Sequence, residues 1–126
     1  MSGNANSRTR ADVLAAVDDL FFFAKIEAAA KAAGTNVLLA SDPRQMQALL
    51  AGSVPGLVIL DLNSKVFDPL DMVRSIKTDT RLAHTRVIGF YSHVQVDLRR
   101  AAEEAGCDQV LPRSVFVAQL QDILKG

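Results

Sequence analysis

Apolar residues along this chain cluster in short runs that alternate with longer segments of mixed character. The run "DVLAAV" (Asp12 to Val17) ends in acid and has the composition of a strand buried on both faces. "NVLLA" (Asn36 to Ala40), "GLVILDL" (Gly56 to Leu62), "RVIGFY" (Arg86 to Tyr91) and "QVL" (Gln109 to Leu111) read as four more strands. Helical segments lie between them. Residues 20 to 33 are alanine-rich and close on Gly34 as a C-cap. "SDPRQMQALLAG" offers Ser41 or Asp42 as N-cap, Pro43 in the first turn and Gly52 at the end. "DPLDMVRSIK" offers Asp68 as N-cap and Pro69 at N1, with Leu70, Val73 and Ile76 on one face. "VDLRRAAEEAG" (Val96 to Gly106) predicts a polar-faced helix stopped by glycine, and "SVFVAQLQDIL" a last helix capped by Ser114. Strand and helix thus alternate five times, with strands too apolar to face water. That pattern predicts a parallel sheet covered by helices on both sides.

Composition narrows this to one domain. A chain of 126 residues with 49% hydrophobic content has room for a single core. We expect residues 1–11, "MSGNANSRTRA", to be a disordered leader and residues 12–126 to form the domain. Fourteen basic and fourteen acidic residues balance to zero net charge, which speaks against a nucleic-acid or anionic-membrane surface. No apolar run approaches the roughly 20 residues of a membrane helix. One cysteine, Cys107, cannot form an intramolecular disulfide, so a reducing cytoplasm is the expected compartment.

In a sheet of this kind, ligands bind outside the carboxyl ends of the strands. Those ends carry Asp18 and Asp19 after the first strand, Asp61 and Asn63 after the third, Tyr91 and Ser92 after the fourth, and Arg113 after the fifth. Three carboxylates on one edge suit a hard cation such as magnesium, which relieves their mutual repulsion. A carboxylate beside such a cation can act as a nucleophile toward a phosphoryl group. The plainer reading makes the same acids helix N-caps.

In order and spacing, "VDD", "LVILDLN", "DPLDMVRSIK" and "AGCDQVLPR" resemble the receiver domain of bacterial two-component response regulators, over about residues 12 to 125. The resemblance implies a flavodoxin-like (βα)5 domain with a parallel five-stranded sheet of order 2-1-3-4-5. It implies Asp61 as phospho-acceptor and Mg2+ held by Asp19, Asp61 and the Asn63 carbonyl, with Asp18 orienting the metal's waters. It also implies a histidine kinase or phosphotransfer protein as donor, a separate downstream protein as target, and self-association as a homodimer as a further option. Catalysis would extend no further than phosphorylation and dephosphorylation of Asp61 itself.

Several positions depart from the family pattern. Arg113 stands where the family has its phosphoryl-contacting lysine, preceded by Pro112 and followed by Ser114 instead of proline. The switch hydroxyl falls on Tyr91 by ungapped count, or on Ser92 if the loop is one residue short. Val110 takes the place of the mobile aromatic, and Ser64 and Lys65 follow the acceptor, Lys65 close enough to compete with a metal for the acids. These departures favour an alternative: a phosphorylation-independent pseudo-receiver used for protein binding or dimerisation. "LVILDLNS" also partly resembles the haloacid dehalogenase phosphatase signature, but Asn63 stands where that motif has its second acid and no cap domain fits.

The Phe21, Phe22 and Phe23 run cannot point one way from a helix, because consecutive residues are about 100° apart. Register with Ile26 and Ala30 assigns Phe23 to the core, Phe22 to the core boundary and Phe21 to the rim of the acid pocket, where Phe21, Phe22 and Lys65 are candidate contact residues. His84 and His93 read as solvated loop residues, Cys107 as a small filler, and "RRAAEE" as a solvated helix face.

Overall fold

The computed structural model describes residues 12–95 and 97–125. The expected leader, residues 1–11, lies outside the described residues, as does Val96 at the predicted start of the fourth helix. Five strands, β1 (Val13–Ala16), β2 (Val37–Ala40), β3 (Leu57–Asp61), β4 (Arg86–Tyr91) and β5 (Gln109–Pro112), form one sheet of order β2-β1-β3-β4-β5. Every pairing is parallel. The helices are α1 (Leu20–Ala32), α2 (Pro43–Gly52), α3 (Pro69–Thr78), α4 (Leu98–Ala105), α5 (Arg113–Ala118) and α6 (Leu120–Lys125), with a 3-10 turn at Thr80–Leu82. The predicted flavodoxin-like order 2-1-3-4-5 is the observed one. No helix among the described residues is long and apolar enough to cross a membrane.

Alternation along the strands separates two core layers, since successive side chains point to opposite faces. Val13 and Ala15 of β1 and Ile59 of β3 face Phe22 and Ile26 of α1, Phe116 of α5 and Leu124 of α6. Leu14, Ala16, Val58 and Leu60 face Met46 of α2 and Val73 and Ile76 of α3. A third cluster, Leu62, Ala102 and Val110, seats α4. There the β4 backbone comes close to the loop after β3. A Cβ at Gly89 would stand 2.8 Å from three Leu62 side-chain carbons.

Caps set the helix starts. Asp42 accepts from the Gln45 N–H and Asp68 from the Asp71 N–H, each followed by proline inside the first turn. Ala33 is the C-cap of α1, and Gly34 beyond it takes φ +74°.

Three readings are corrected. The last helix is two helices parted at Gln119, and Ser114 lies inside α5 instead of capping it. Pro112, held at φ −59° and ψ 148°, ends β5 and launches the helix at Arg113. Helix α4 begins at Leu98 after Asp97, whose φ of 67° is left-handed and whose side chain makes no capping bond. Phe22, placed above at the core boundary and rim, is 2% exposed, while Phe23 is only half-buried. The buried stripe of α1 is Phe22, Ile26 and Ala30, at spacings of four, which puts Phe21 at 87% exposure.

Candidate functional site

The carboxyl edge of the sheet brings Asp18, Asp19, Asp61 and Arg113 into one electrostatic neighbourhood. Asp61 ends β3, the central strand, half-buried. Burial raises its pKa above the ordinary carboxylate value of 3.8, the Asn63 N–H (2.9 Å) pulls it back, and the charges of Asp18 and Asp19 raise it while Arg113 lowers it. Both neighbouring acids thus act on Asp61, as the strand-end pattern predicts.

Each of those acids also has a structural task. Asp19 is the N-cap of α1: its Oδ1 accepts from the Phe21 and Phe22 N–H groups at 2.8 and 3.2 Å. Its other oxygen stands 3.8 Å from Arg113 Nη2. Asp18 accepts from the Ser64 hydroxyl at 2.7 Å with one oxygen and from the Lys65 N–H at 3.0 Å with the other. Lys65 therefore reaches the pocket through its backbone. Its ammonium makes no ion pair among the described residues. Ser64 goes on to accept from the Val66 and Phe67 N–H groups, so one hydroxyl organises the loop after β3 around Asp18.

Arg113, the first residue of α5, lies 4.1 Å over the ring of Phe22. That ring belongs to a buried trio, with centroids 4.8 Å from Phe90 and 6.0 Å from Phe116. The phenylalanine beside the acids is thus core packing that also seats the cation of the site. Phe21 and Leu20 stay exposed at the start of α1, as does Val66 in the loop after β3.

The switch candidates share a cavity with Arg113. Tyr91, Ser92, Arg113 and Val117 line one cavity of about 650 Å³. The Tyr91 side chain packs with the Leu62, Ala102 and Val110 cluster, and Ser92 is exposed. Asn63 bridges the two loops. Its Oδ1 accepts from the Ser92 and His93 N–H groups at 2.7 and 3.1 Å, and its Nδ2 donates to the His93 carbonyl at 3.2 Å. Sequence reading gave Asn63 only a backbone role and gave Ser64 none. Asn two residues and Ser three residues past a strand-end acid, both strong loop hydrogen-bonders, were the available signal.

The oxygen donors of Asp18, Asp19, Asp61 and the Asn63 carbonyl suit a hard cation in kind. The repulsion raising Asp61 is what such a charge would relieve. As the side chains stand, no group of three His, Cys, Asp or Glu among the described residues is gathered to hold a metal ion.

No protein-family profile matches the sequence, and no curated protein does. Solved structures do match. The chemotaxis response regulator CheY4 of Vibrio cholerae superposes with a TM-score of 0.78 at 19% identity, covering 92% of this chain and 97% of that one. The chain has the receiver fold. The phosphorylated cyanobacterial phytochrome response regulator RcpA matches with a TM-score of 0.73 at 21% identity, covering 92% of this chain and 90% of that one. The manganese-bound form of response regulator Rcp1 matches at 0.72 and 20%, covering 91% and 90%. At these identities the likeness concerns the fold. Within this receiver fold, Asp61 holds the end of the central strand and Asp18 and Asp19 the end of its neighbour.

Proposed function

We propose that this chain is a receiver-type signalling module whose Asp61 accepts a phosphoryl group and whose output passes by protein contact. One observation carries the reading: Asp61 ends the central strand half-buried, under the combined charge of two acids and one guanidinium. In the transfer, an Asp61 carboxylate oxygen attacks the phosphorus of a phosphohistidine. The new O–P bond forms as the P–N bond breaks, and the electron pair stays on the departing imidazole, which takes up a proton. Water later attacks the same phosphorus and returns the carboxylate and inorganic phosphate. Asp18, Asp19, Asp61 and the Asn63 carbonyl would hold the divalent cation, magnesium, which when bound supplies positive charge against the transferring oxygens. Arg113 adds a second positive charge, and the Ser92 hydroxyl, which lines the same cavity, would be the hydrogen-bond donor for the new group. A soluble, cytoplasmic signalling role with a histidine kinase or phosphotransfer donor follows from this reading.

A second reading rests on a specific observation as well. Arg113 is drawn toward Asp19 and the Phe22 ring, and Asp18 has both oxygens engaged by Ser64 and Lys65. A pocket satisfied by its own residues fits a phosphorylation-independent interaction or dimerisation module.

One experiment separates the two. The protein is incubated with magnesium and acetyl phosphate, or with beryllofluoride, and followed by intact-mass spectrometry and magnesium titration. A phosphoryl-sized mass gain that Asp61→Asn abolishes is expected. Absence of any adduct together with absence of metal binding leaves the interaction module.

A further inference from the structure

The main-chain pairing of β3 with β4 runs out at the acid edge. Asp61 stands in register with Phe90, and the Leu62 N–H still reaches the Phe90 carbonyl at 2.8 Å. Beyond that bond both strands have ended, and the same register carried two residues on sets Asn63 opposite Ser92. There a side chain takes over from the backbone. Asn63 Oδ1 accepts from the Ser92 N–H at 2.7 Å and the His93 N–H at 3.1 Å, and Nδ2 donates to the His93 carbonyl at 3.2 Å. A carboxamide offers the same donor and acceptor as a peptide group, so it extends the ladder past the last strand residue.

The other end of the same residue is engaged as well. The Asn63 N–H donates to Asp61 Oδ1 at 2.9 Å, so its main chain lies on the acid of β3 while its side chain lies on the loop after β4. That loop is held from two directions. The Tyr91 side chain is packed into the Leu62, Ala102 and Val110 cluster, and the N–H of the next residue, Ser92, is bound by Asn63. With the chain fixed on both counts, rotation about χ1 is the main freedom left to the Ser92 hydroxyl, in the cavity that Arg113 also lines.

We propose that the Asn63 side chain is a positioning residue for phosphoryl transfer: it holds the loop after β4 so that the Ser92 hydroxyl meets the group arriving on Asp61. The inference rests on the reading of Asp61 as acceptor, and adds a side chain that acts only through Ser92. The chemistry of the place calls for a carboxamide. Alanine removes all three side-chain bonds, and aspartate keeps the acceptor but loses the donor and sets a carboxylate against the His93 carbonyl.

The test is a double-mutant cycle on the intact protein. The rate at which acetyl phosphate and magnesium add a phosphoryl-sized mass is measured for the parent, Asn63→Ala, Ser92→Ala and the double variant, beside NMR amide exchange at residues 92 and 93 and a magnesium titration. Asn63→Ala is expected to slow the addition on the order of tenfold, the scale of loss that a misplaced catalytic group produces. It should also speed amide exchange at Ser92 and His93 and leave magnesium affinity in place, because the carbonyl of residue 63 belongs to the main chain. In the Ser92→Ala background the same change should have no further effect, since residues acting as a unit are not additive. Ser92→Thr keeps a hydroxyl and should keep the full response to Asn63→Ala. Effects that multiply in the double variant, or a parallel fall in magnesium affinity, would reduce Asn63 to a loop staple and overturn the proposal. So would a parent-like rate in Asn63→Ala once its exchange at 92 and 93 has risen. A parent that gains no mass fails one step earlier: it overturns the reading of Asp61, and this inference with it.

Discussion

Asp61 is held in the fold at a cost to stability. Its folded-state pKa lies above 3.8, first through burial and then through Asp18 and Asp19. A carboxyl raised on folding binds more protons in the native than in the unfolded state, so stability falls as pH rises through the raised value and the deficit is complete above it. Asp61→Asn removes that deficit while keeping an oxygen to accept from the Asn63 N–H. The variant is therefore expected to unfold at higher urea than the parent at pH 7, and the difference should vanish below about pH 4. Asp108 has the opposite sign: burial raises it, but Lys77 at 2.7 Å and the Val87 N–H lower it further, so its contribution is lost as pH falls. Being common to parent and variant, it cancels from the comparison. The phenylalanine run supplies a second contrast at this scale. Phe22→Ala empties a site packed against Phe90 and Phe116 and should cost about 3–5 kcal/mol by denaturant titration. Phe21→Ala, at a fully solvated neighbour, should stay within about 0.5 kcal/mol.

Among the elements, α1 and α4 show where sequence logic succeeds and stops. The start of α1 was legible because Asp19 is a strong N-cap former, and the same carboxylate then serves the acid edge. Asp19→Ala should lower stability by about 1 kcal/mol and also release Arg113 from its nearest acid. The phase of α1 was harder to read: with three consecutive phenylalanines the apolar stripe has no edge, and only packing against β4 and α5 selects Phe22. Helix α4 is capped by Gly106, at φ +120°, where a Cβ would stand 2.8 Å from Lys77 Cγ. That close approach lets Lys77 reach both Asp108 and the Thr85 carbonyl. Gly106→Ala combines backbone strain with this overlap, and a loss of roughly 1–3 kcal/mol in thermal or urea unfolding is expected.

At the scale of the whole molecule, a parallel sheet covered on both faces follows from five apolar runs separated by helical segments, because parallel strands need crossovers and crossovers bury both faces, while its order 2-1-3-4-5 was legible only through the resemblance to receiver domains. The strand-end acids were equally readable, since period and length alone put them on one edge. What the sequence concealed was who satisfies them. Ser64 on Asp18, Asn63 on the loop after β4, and the turn of Arg113 toward Phe22 are contacts between segments far apart in the chain, with no local periodicity to announce them.

The approach of Leu62 to Gly89 ties two positions 27 apart in number into one steric unit. A methyl group at 89 cannot be accommodated unless the side chain at 62 retreats, so the two sites are expected to drift together among descendants of this chain, alanine at one accompanying a smaller residue at the other. A double-mutant cycle gives the laboratory version: Gly89→Ala alone should destabilise, and adding Leu62→Ala should cost less than the two losses summed. Diversified libraries of this scaffold would then recover the pair as a linked choice, with each position constraining the other's alphabet.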